Sequence, residues 1–257
     1  MRIARFAAGN EVSYGVVEGD GANATITAIE GHPIGEVALT NVVYPLAEVR
    51  LLAPILPSKI VAVGKNYADH AKEMGGEVPH EPLIFLKPST SIVGPGDGIV
   101  YPAATKELSY EAELAVVIGR ICRDIAIERV PDVILGYTCA NDVTARDLQR
   151  TDGQWTRGKG FDTFCPLGPW IETQIDASDL AISARVNGDT RQDSRTSLLV
   201  SDIPTLVSWI SRVMTLLPGD VILTGTPAGV GSMHVGDLVE VEIEGIGVLA
   251  NQVVRND

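Results

Sequence analysis

The sequence predicts an α+β fold, mostly β, and three observations lead there. Short runs that alternate apolar and polar residues, or turn fully apolar, recur along the chain between Gly, Pro, Asn and Asp clusters. One long stretch alone, SDIPTLVSWISRVMTLL, keeps a clear helical apolar face. The strands do not alternate with helices in the way a doubly wound parallel sheet requires.

The elements follow in order. Residues 1 to about 50 alternate between the turn clusters Glu18-Gly19-Asp20-Gly21 and Glu30-Gly31-His32-Pro33, which predicts a few short antiparallel strands. Pro54 and Pro57 punctuate the chain, so a small β-rich N-terminal domain is placed at 1–53 and the main domain at 54–257. A buried strand over 60–63 runs into GKNYADHAKEMGG, a short helix with Asn66 as N-cap and Gly75-Gly76 as terminator. Further strands are predicted at 83–87, 107–118 and 134–140, the last ending at Asn141-Asp142, and Asn187-Gly188 marks a hairpin turn. The long helix is capped by Ser201 or Asp202, carries Pro204 in its first turn and runs to Leu217 before Pro218-Gly219-Asp220. A strand, the Gly-rich stretch TGTPAGVG and a final hairpin close the chain.

Composition narrows the function. Of 257 residues, 20 are Lys or Arg and 33 are Asp or Glu, a formal charge of −13. Such an excess of acid argues against a general binder of nucleic acid or anionic membranes. Hydrophobic residues at 45% and charged residues at 21% describe a folded chain with a proper core. Three scattered cysteines, Cys122, Cys139 and Cys165, make neither a disulfide framework nor a zinc site, so buried thiols in a reducing compartment are expected. No apolar run approaches the roughly 20 residues of a membrane span, and the start MRIARFAAGNEVSYG has no room for a signal-peptide core. A cytoplasmic location follows as the expectation.

Four groups of residues can carry chemistry. In ELSYEAELAVVIG, Glu111 and Glu113 lie two apart on a strand and project to one face. Unpaired, they would repel at roughly 7 Å. On its own, such a pair is more often a solvated strand face. Asp142, at the end of the next apolar strand, can complete a hard all-oxygen site for Mg²⁺ or Mn²⁺ rather than Zn²⁺. His70 and Glu73 share a helix face at i, i+3, where the carboxylate can orient the imidazole as a general base on a segment able to act as a lid. Their ordinary reading is a surface pair. Lys159, between two glycines, is by default a solvated loop residue, but beside a metal it can fix a substrate carboxylate. The 224–231 loop offers amides and hydroxyls to anionic oxygens, yet lacks the Lys of a phosphate-binding loop and is no dinucleotide fingerprint. No GxSxG is present.

GKNYADHAKEM, PLIFLKPSTSIVGPGD, ELSYEAELAVVIG, GYTCANDVTARDLQ, RGKGFDTFCPLGPW and PGDVILTGTPAGVG, in this order from about residue 54 to the end, resemble the fumarylacetoacetate hydrolase superfamily. The resemblance implies a mixed β-sheet roll as the catalytic domain, usually a homodimer, with Mg²⁺ or Mn²⁺ held by Glu111, Glu113 and Asp142. It implies a lid dyad of His70 and Glu73, a catalytic and substrate-contacting Lys159, and substrate contacts from Gln149 and Thr226. The N-terminal part is short, about 53 residues, and the catalytic unit occurs once. The short N-terminal part points away from fumarylacetoacetate itself, and the single copy away from the two-copy members of the homoprotocatechuate pathway. The chain more closely resembles the short members: hydroxyheptadienedioate isomerases and decarboxylases, acylpyruvate hydrolases and oxaloacetate decarboxylases.

The expected function is a divalent-metal enzyme acting on a small 2-oxo or enol (di)carboxylate through a metal-stabilised enolate, foremost of 2-hydroxyhepta-2,4-diene-1,7-dioate isomerase/decarboxylase type. The alternatives are acylpyruvate hydrolysis, oxaloacetate decarboxylation, or a non-catalytic metal- or ligand-binding protein. The presence of both His70 and Glu73 speaks against the last. Three carboxylates against one divalent cation and Lys159 bring the expected site charge to zero, so a dicarboxylate substrate need not be repelled.

Overall fold

The computed structural model describes residues 1–255. Twenty strands and four α-helices lie among them, so the chain is mostly β, as its patterning predicts. The strands are β1 (Arg2–Ala8), β2 (Glu11–Glu18), β3 (Thr25–Ile29), β4 (Leu39–Pro45), β5 (Arg50–Leu52), β6 (Ile60–Gly64), β7 (Leu83–Lys87), β8 (Ile92–Val93), β9 (Ile99–Tyr101) and β10 (Leu108–Tyr110). They continue with β11 (Ala112–Ile118), β12 (Ile134–Asn141), β13 (Thr144–Ala145), β14 (Cys165–Glu172), β15 (Ala181–Val186), β16 (Asp189–Arg195), β17 (Val221–Leu223), β18 (Gly231–Met233), β19 (Leu238–Ile243) and β20 (Gly247–Arg255). The helices are α1 (Ala68–Glu73), α2 (Arg146–Asp152), α3 (Thr156–Lys159) and α4 (Ile203–Val213).

Three sheets are built from them. The largest has 12 strands along the path β4-β3-β2-β1-β14-β12-β11-β17-β6-β7, with β5 on β1 and β8 on β14; a five-stranded sheet, β16-β15-β19-β20-β9, and a three-stranded one, β13-β10-β18, complete the roll. Pairing is antiparallel except at β17–β6, β14–β8 and β20–β9. The N-terminal strands keep a small apolar cluster of their own around Phe6, Val17 and Ile26, yet they extend the large sheet, because Arg2 and Ile3 of β1 pair with Glu172 and Ile171 of β14.

Central strands are buried on both faces. In β11, Leu114, Val116 and Ile118 enter the main core, while Ala115 and Val117 enter a second one beneath Ile3 and Leu167. A period of two with both faces covered gives a continuous apolar run, which is why this segment loses its alternation.

Three expectations need correction. The 107–118 strand is not continuous: Leu108–Tyr110 belongs to the three-stranded sheet and Ala112–Ile118 to the large one, with Glu111 at the crossing. Asn66 does not cap α1, whose first flanking residue is Tyr67 with no side-chain cap. Instead, the Asn66 amide donates to the carbonyls of Ser201 (3.0 Å) and Thr224 (2.8 Å) and accepts from the Ser201 amide, clamping α1's approach to two distant loops. The long helix ends at Val213 rather than Leu217, because Leu216 exchanges two backbone hydrogen bonds with Cys122 and leaves the helical path. Its start is as expected, with the Asp202 side chain accepting from the Thr205 amide at 2.9 Å. The hairpin at Asn187-Gly188 is also present, both residues having positive φ. Helices α2 and α3 have no counterpart in the sequence expectations.

Asp220 anchors the strand that feeds the glycine loop. Fully buried, it accepts from the Ser58 hydroxyl (2.6 Å), the Lys59 amide (3.2 Å), the Leu217 amide (2.7 Å) and the Lys59 ammonium. Asp220→Ala orphans these donors and is expected to cost about 3 kcal/mol, read as a lowered urea midpoint at unchanged slope.

Candidate active site

The register of β11 against β12 brings the acids together. Ala112 faces Asn141, so Glu111 and Asp142, one residue further on each strand, stand opposite one another. Two bonds lock that junction: the Glu111 amide donates to Asn141 Oδ1 (2.9 Å) and the Asp142 amide to the Glu111 carbonyl (2.9 Å). Oxygens of Glu111, Glu113 and Asp142 lie within 4.8 Å of one another, and all three residues are at least 96% buried.

Such a cluster requires compensating charge. Lys159 Nζ donates to both Glu111 Oε2 and Asp142 Oδ2 at 2.7 Å. Lys87 Nζ donates to Asp142 Oδ1 (2.6 Å) and to the Lys159 carbonyl (2.5 Å). Arg146 Nη2 donates to Glu111 Oε1 (2.5 Å), and its Nη1 to Gln149 Oε1 (3.0 Å). Burial alone would raise the Glu111 carboxyl, but Lys159 and Arg146 overcome it and hold the group well below the usual carboxylate range. Burial alone would lower Lys159, and the charges of Asp142 and Glu111 reverse that, leaving its ammonium more firmly protonated.

Glu113 is the exception. Burial, then the charges of Asp142 and Glu111, push its carboxyl well above the usual range; its one hydrogen bond is from the Gly225 amide, at 2.6 Å. Only a residue without a side chain fits at Gly225: its φ is +103°, and a Cβ would lie 2.8 Å from that of Asn66. An all-oxygen, buried donor set with one carboxylate still lacking a cation fits a hard divalent ion, and Mg²⁺ or Mn²⁺ is the chemistry it suits.

Lys159 is not a solvated loop residue, as its glycine neighbours suggest; it ends α3 and is 2% exposed. Those glycines are there for packing. A Cβ on Gly158 would stand 2.9 Å from the Gln149 amide, so Gly158 lets α3 lie against α2 and carry Lys159 to the acids. The three cysteines are buried and unpaired, and burial pushes the Cys165 thiol up to about 12.

The dyad lies over the same cleft. His70 is 5% exposed, not on the surface, and its Nδ1 is 3.1 Å from Glu73 Oε2. A carboxylate can only accept, so Nδ1 carries a proton toward Glu73, and the lone pair of the neutral ring is the one on Nε2. Glu73 Oε1 accepts from the Gly229 amide (3.0 Å). The glycine loop's amides therefore serve the protein's own carboxylates, at Gly225 and Gly229. Thr226 Oγ1 accepts from Gln192 Nε2 (2.8 Å), which fixes its hydroxyl.

Glu111, Glu113, Asp142, His70, Lys159, Gln149 and, from the 224–231 loop, Thr226 border one cleft, with about 390 Å³ of empty space including its open mouth. Glu73 reaches it through His70. Sequence reasoning gave no role to Lys87 or Arg146. With them, three cations face three carboxylates before any metal arrives, so a divalent ion would leave the site at a formal +2 rather than zero.

Comparison with known proteins gives a consistent picture. The fumarylacetoacetate (FAA) hydrolase C-terminal family matches residues 59–254, and an N-terminal family named Rv2993c-like matches 1–54. A solved Mycobacterium smegmatis structure, named 5-carboxymethyl-2-hydroxymuconate delta-isomerase, is 55% identical with a TM-score of 0.95 and full coverage of both chains. One from Mycobacterium marinum, named 2-hydroxyhepta-2,4-diene-1,7-dioate isomerase, is 52% identical with a TM-score of 0.94, covering 100% of this chain and 99% of that one. The rat mitochondrial oxaloacetate tautomerase Fahd2a is 47% identical over 82% of this chain and 71% of its own length. With its mostly β roll, its buried Glu-Glu-Asp group and these matches, the chain belongs to the fumarylacetoacetate hydrolase family.

Proposed function

We propose that the chain is a divalent-metal-dependent enzyme that moves a proton on a small 2-oxo or enol dicarboxylate, with 2-hydroxyhepta-2,4-diene-1,7-dioate isomerase/decarboxylase chemistry as the leading assignment. One observation supports this above the rest: the His70–Glu73 pair shares a single cleft with the buried Glu111–Glu113–Asp142 cluster and Lys159. Mg²⁺ or Mn²⁺ held by that cluster would supply a Lewis acid that polarises the substrate's 2-oxo group.

The side chains supply the remainder. His70 Nε2 takes a proton from the carbon next to the carbonyl and returns it there or further along the conjugated chain, while Glu73 holds the ring and stabilises its charged form. Lys159 uses two of its three N–H groups on Glu111 and Asp142, leaving one for a substrate oxygen. Gln149 and Thr226, both on the cleft wall, contact the substrate's polar atoms. Phe85 and Trp155, edge to face with ring centroids 5.2 Å apart, give one wall an apolar surface that limits water. The tautomerase relative favours a second reading, enol–keto exchange of oxaloacetate, in which the proton taken from carbon is balanced by one delivered to the enolate oxygen, and the reverse.

The decisive experiment compares kcat/KM for hydroxyheptadienedioate, oxaloacetate and acetylpyruvate with Mg²⁺, with Mn²⁺ and in EDTA. Activity is expected only with metal and highest on a dicarboxylate; a chain equally active in EDTA, or inert on all three, overturns the reading.

Asp142→Asn keeps the shape and one acceptor oxygen while removing one negative ligand. Lys87 and Lys159 each retain a second acceptor, the Lys159 carbonyl and Glu111 Oε2, so folding should survive, which the thermal midpoint checks. The expected loss in kcat/KM is about 100-fold or more, with weaker Mg²⁺ binding by calorimetry. His70→Ala should lower kcat by roughly 10² to 10⁴ and leave the metal affinity within a few-fold. Equal losses in turnover and metal binding would mean His70 holds the site together rather than moving a proton.

A further inference from the structure

Lys65 lines the same cleft as the acids and the dyad but belongs to neither. It follows β6, is half-buried, and has no hydrogen-bond or ion-pair partner for its ammonium among the described residues. Its φ is +57°, in the left-handed region that residues bearing a Cβ rarely adopt. The turn itself accounts for the backbone, since Asn66 must reach Ser201 and Thr224 at once. It does not account for the lysine, because Gly or Asn would adopt that conformation more easily.

The side chain's course is also specific. A Cβ on Gly76 would stand 2.7 Å from Lys65 Nζ, so the missing side chain at Gly76 makes room for the ammonium just beyond α1. Lys87, Lys159 and Arg146 are each committed to a carboxylate at 2.5–2.7 Å. Lys65 is thus the cation on the cleft wall that remains uncommitted, at the lid end rather than among the acids.

We infer that Lys65 is a specificity-determining residue that binds the distal carboxylate of a dicarboxylate substrate, the end remote from the 2-oxo group. This rests on the function proposed above, which places the 2-oxo acid head at Glu111, Glu113 and Asp142. Lys65 then selects dianionic over monoanionic 2-oxo acids, and the strain at its backbone is retained because a neutral Gly or Asn would forfeit that charge-assisted contact.

Binding to the Mg²⁺-loaded protein separates the two layers. The probes are 2-oxoglutarate and 2-oxopentanoate, which share a head and a chain length and differ in the distal carboxylate, measured by calorimetry. The wild type is expected to favour 2-oxoglutarate. Lys65→Asn should weaken 2-oxoglutarate by about 10- to 100-fold and 2-oxopentanoate far less. It should not lower the thermal midpoint, because Asn tolerates the left-handed backbone. Lys65→Arg should restore most of the preference. A wild-type preference that survives in Lys65→Asn, equal losses for both probes, or no wild-type preference at all overturns the role of Lys65 and leaves the head-group reading standing. Failure of both acids to bind in the presence of Mg²⁺ overturns both readings.

Discussion

Three carboxylates inside the protein, with oxygens within 4.8 Å of one another, are the constraint on which the rest of the structure depends. Desolvating one unpaired carboxylate costs several kcal/mol, and adding two like charges compounds it. The fold meets that cost with cations brought from three separate elements: Lys87 from the end of β7, Arg146 from the start of α2 and Lys159 from the end of α3. Each arrives along its own backbone path, so the large sheet, the two short helices and the 143–160 connection are all fixed by one electrostatic requirement. Glu113, answered by only an amide, is where the arrangement remains incomplete in charge.

That requirement explains which parts of the site could be read from the sequence. Glu111, Glu113 and Asp142 were legible because strand periodicity and the end of an apolar run are local signals, and antiparallel register does the rest. Lys159 was only a weak candidate without the family motif: Gly-Lys-Gly looks like an exposed turn, and only the close approach of α3 to α2 reveals why its glycines are there. Lys87 ends the run LIFLK before a proline, and its partner Asp142 lies 55 residues away, so no spacing rule connects them. Arg146 stood four residues after Asp142, yet its carboxylate is Glu111, 35 residues back.

The misplaced elements share a cause. Asn66 is a good N-cap type because its short amide bonds to backbone groups, and those are the properties that let it bridge Ser201 and Thr224 instead. Leu217 continued a helical stripe, but the backbone pairing of Leu216 with Cys122 outweighed propensity in the last turn. In each case the local preference was real, and a long-range hydrogen bond overrode it. The fold class survived because it rests on many strands whose apolar pattern no single contact can reverse.

The acids and the dyad are held in different ways. The acids and their cations sit at strand ends and short helices within the core, where hydrogen bonds leave them little freedom. His70 and Glu73 ride on α1, six residues long and too short to be stable by itself. What holds it down is the burial of Tyr67, His70 and Ala71, the Asn66 clamp just before it and the bond from Gly229 to Glu73. Glu73 therefore couples two tasks, orienting His70 through one oxygen and fastening the lid to the glycine loop through the other. The same carboxylate thus ties the position of His70 to that of the glycine loop, so the imidazole and the loop that lines the cleft are held in one register.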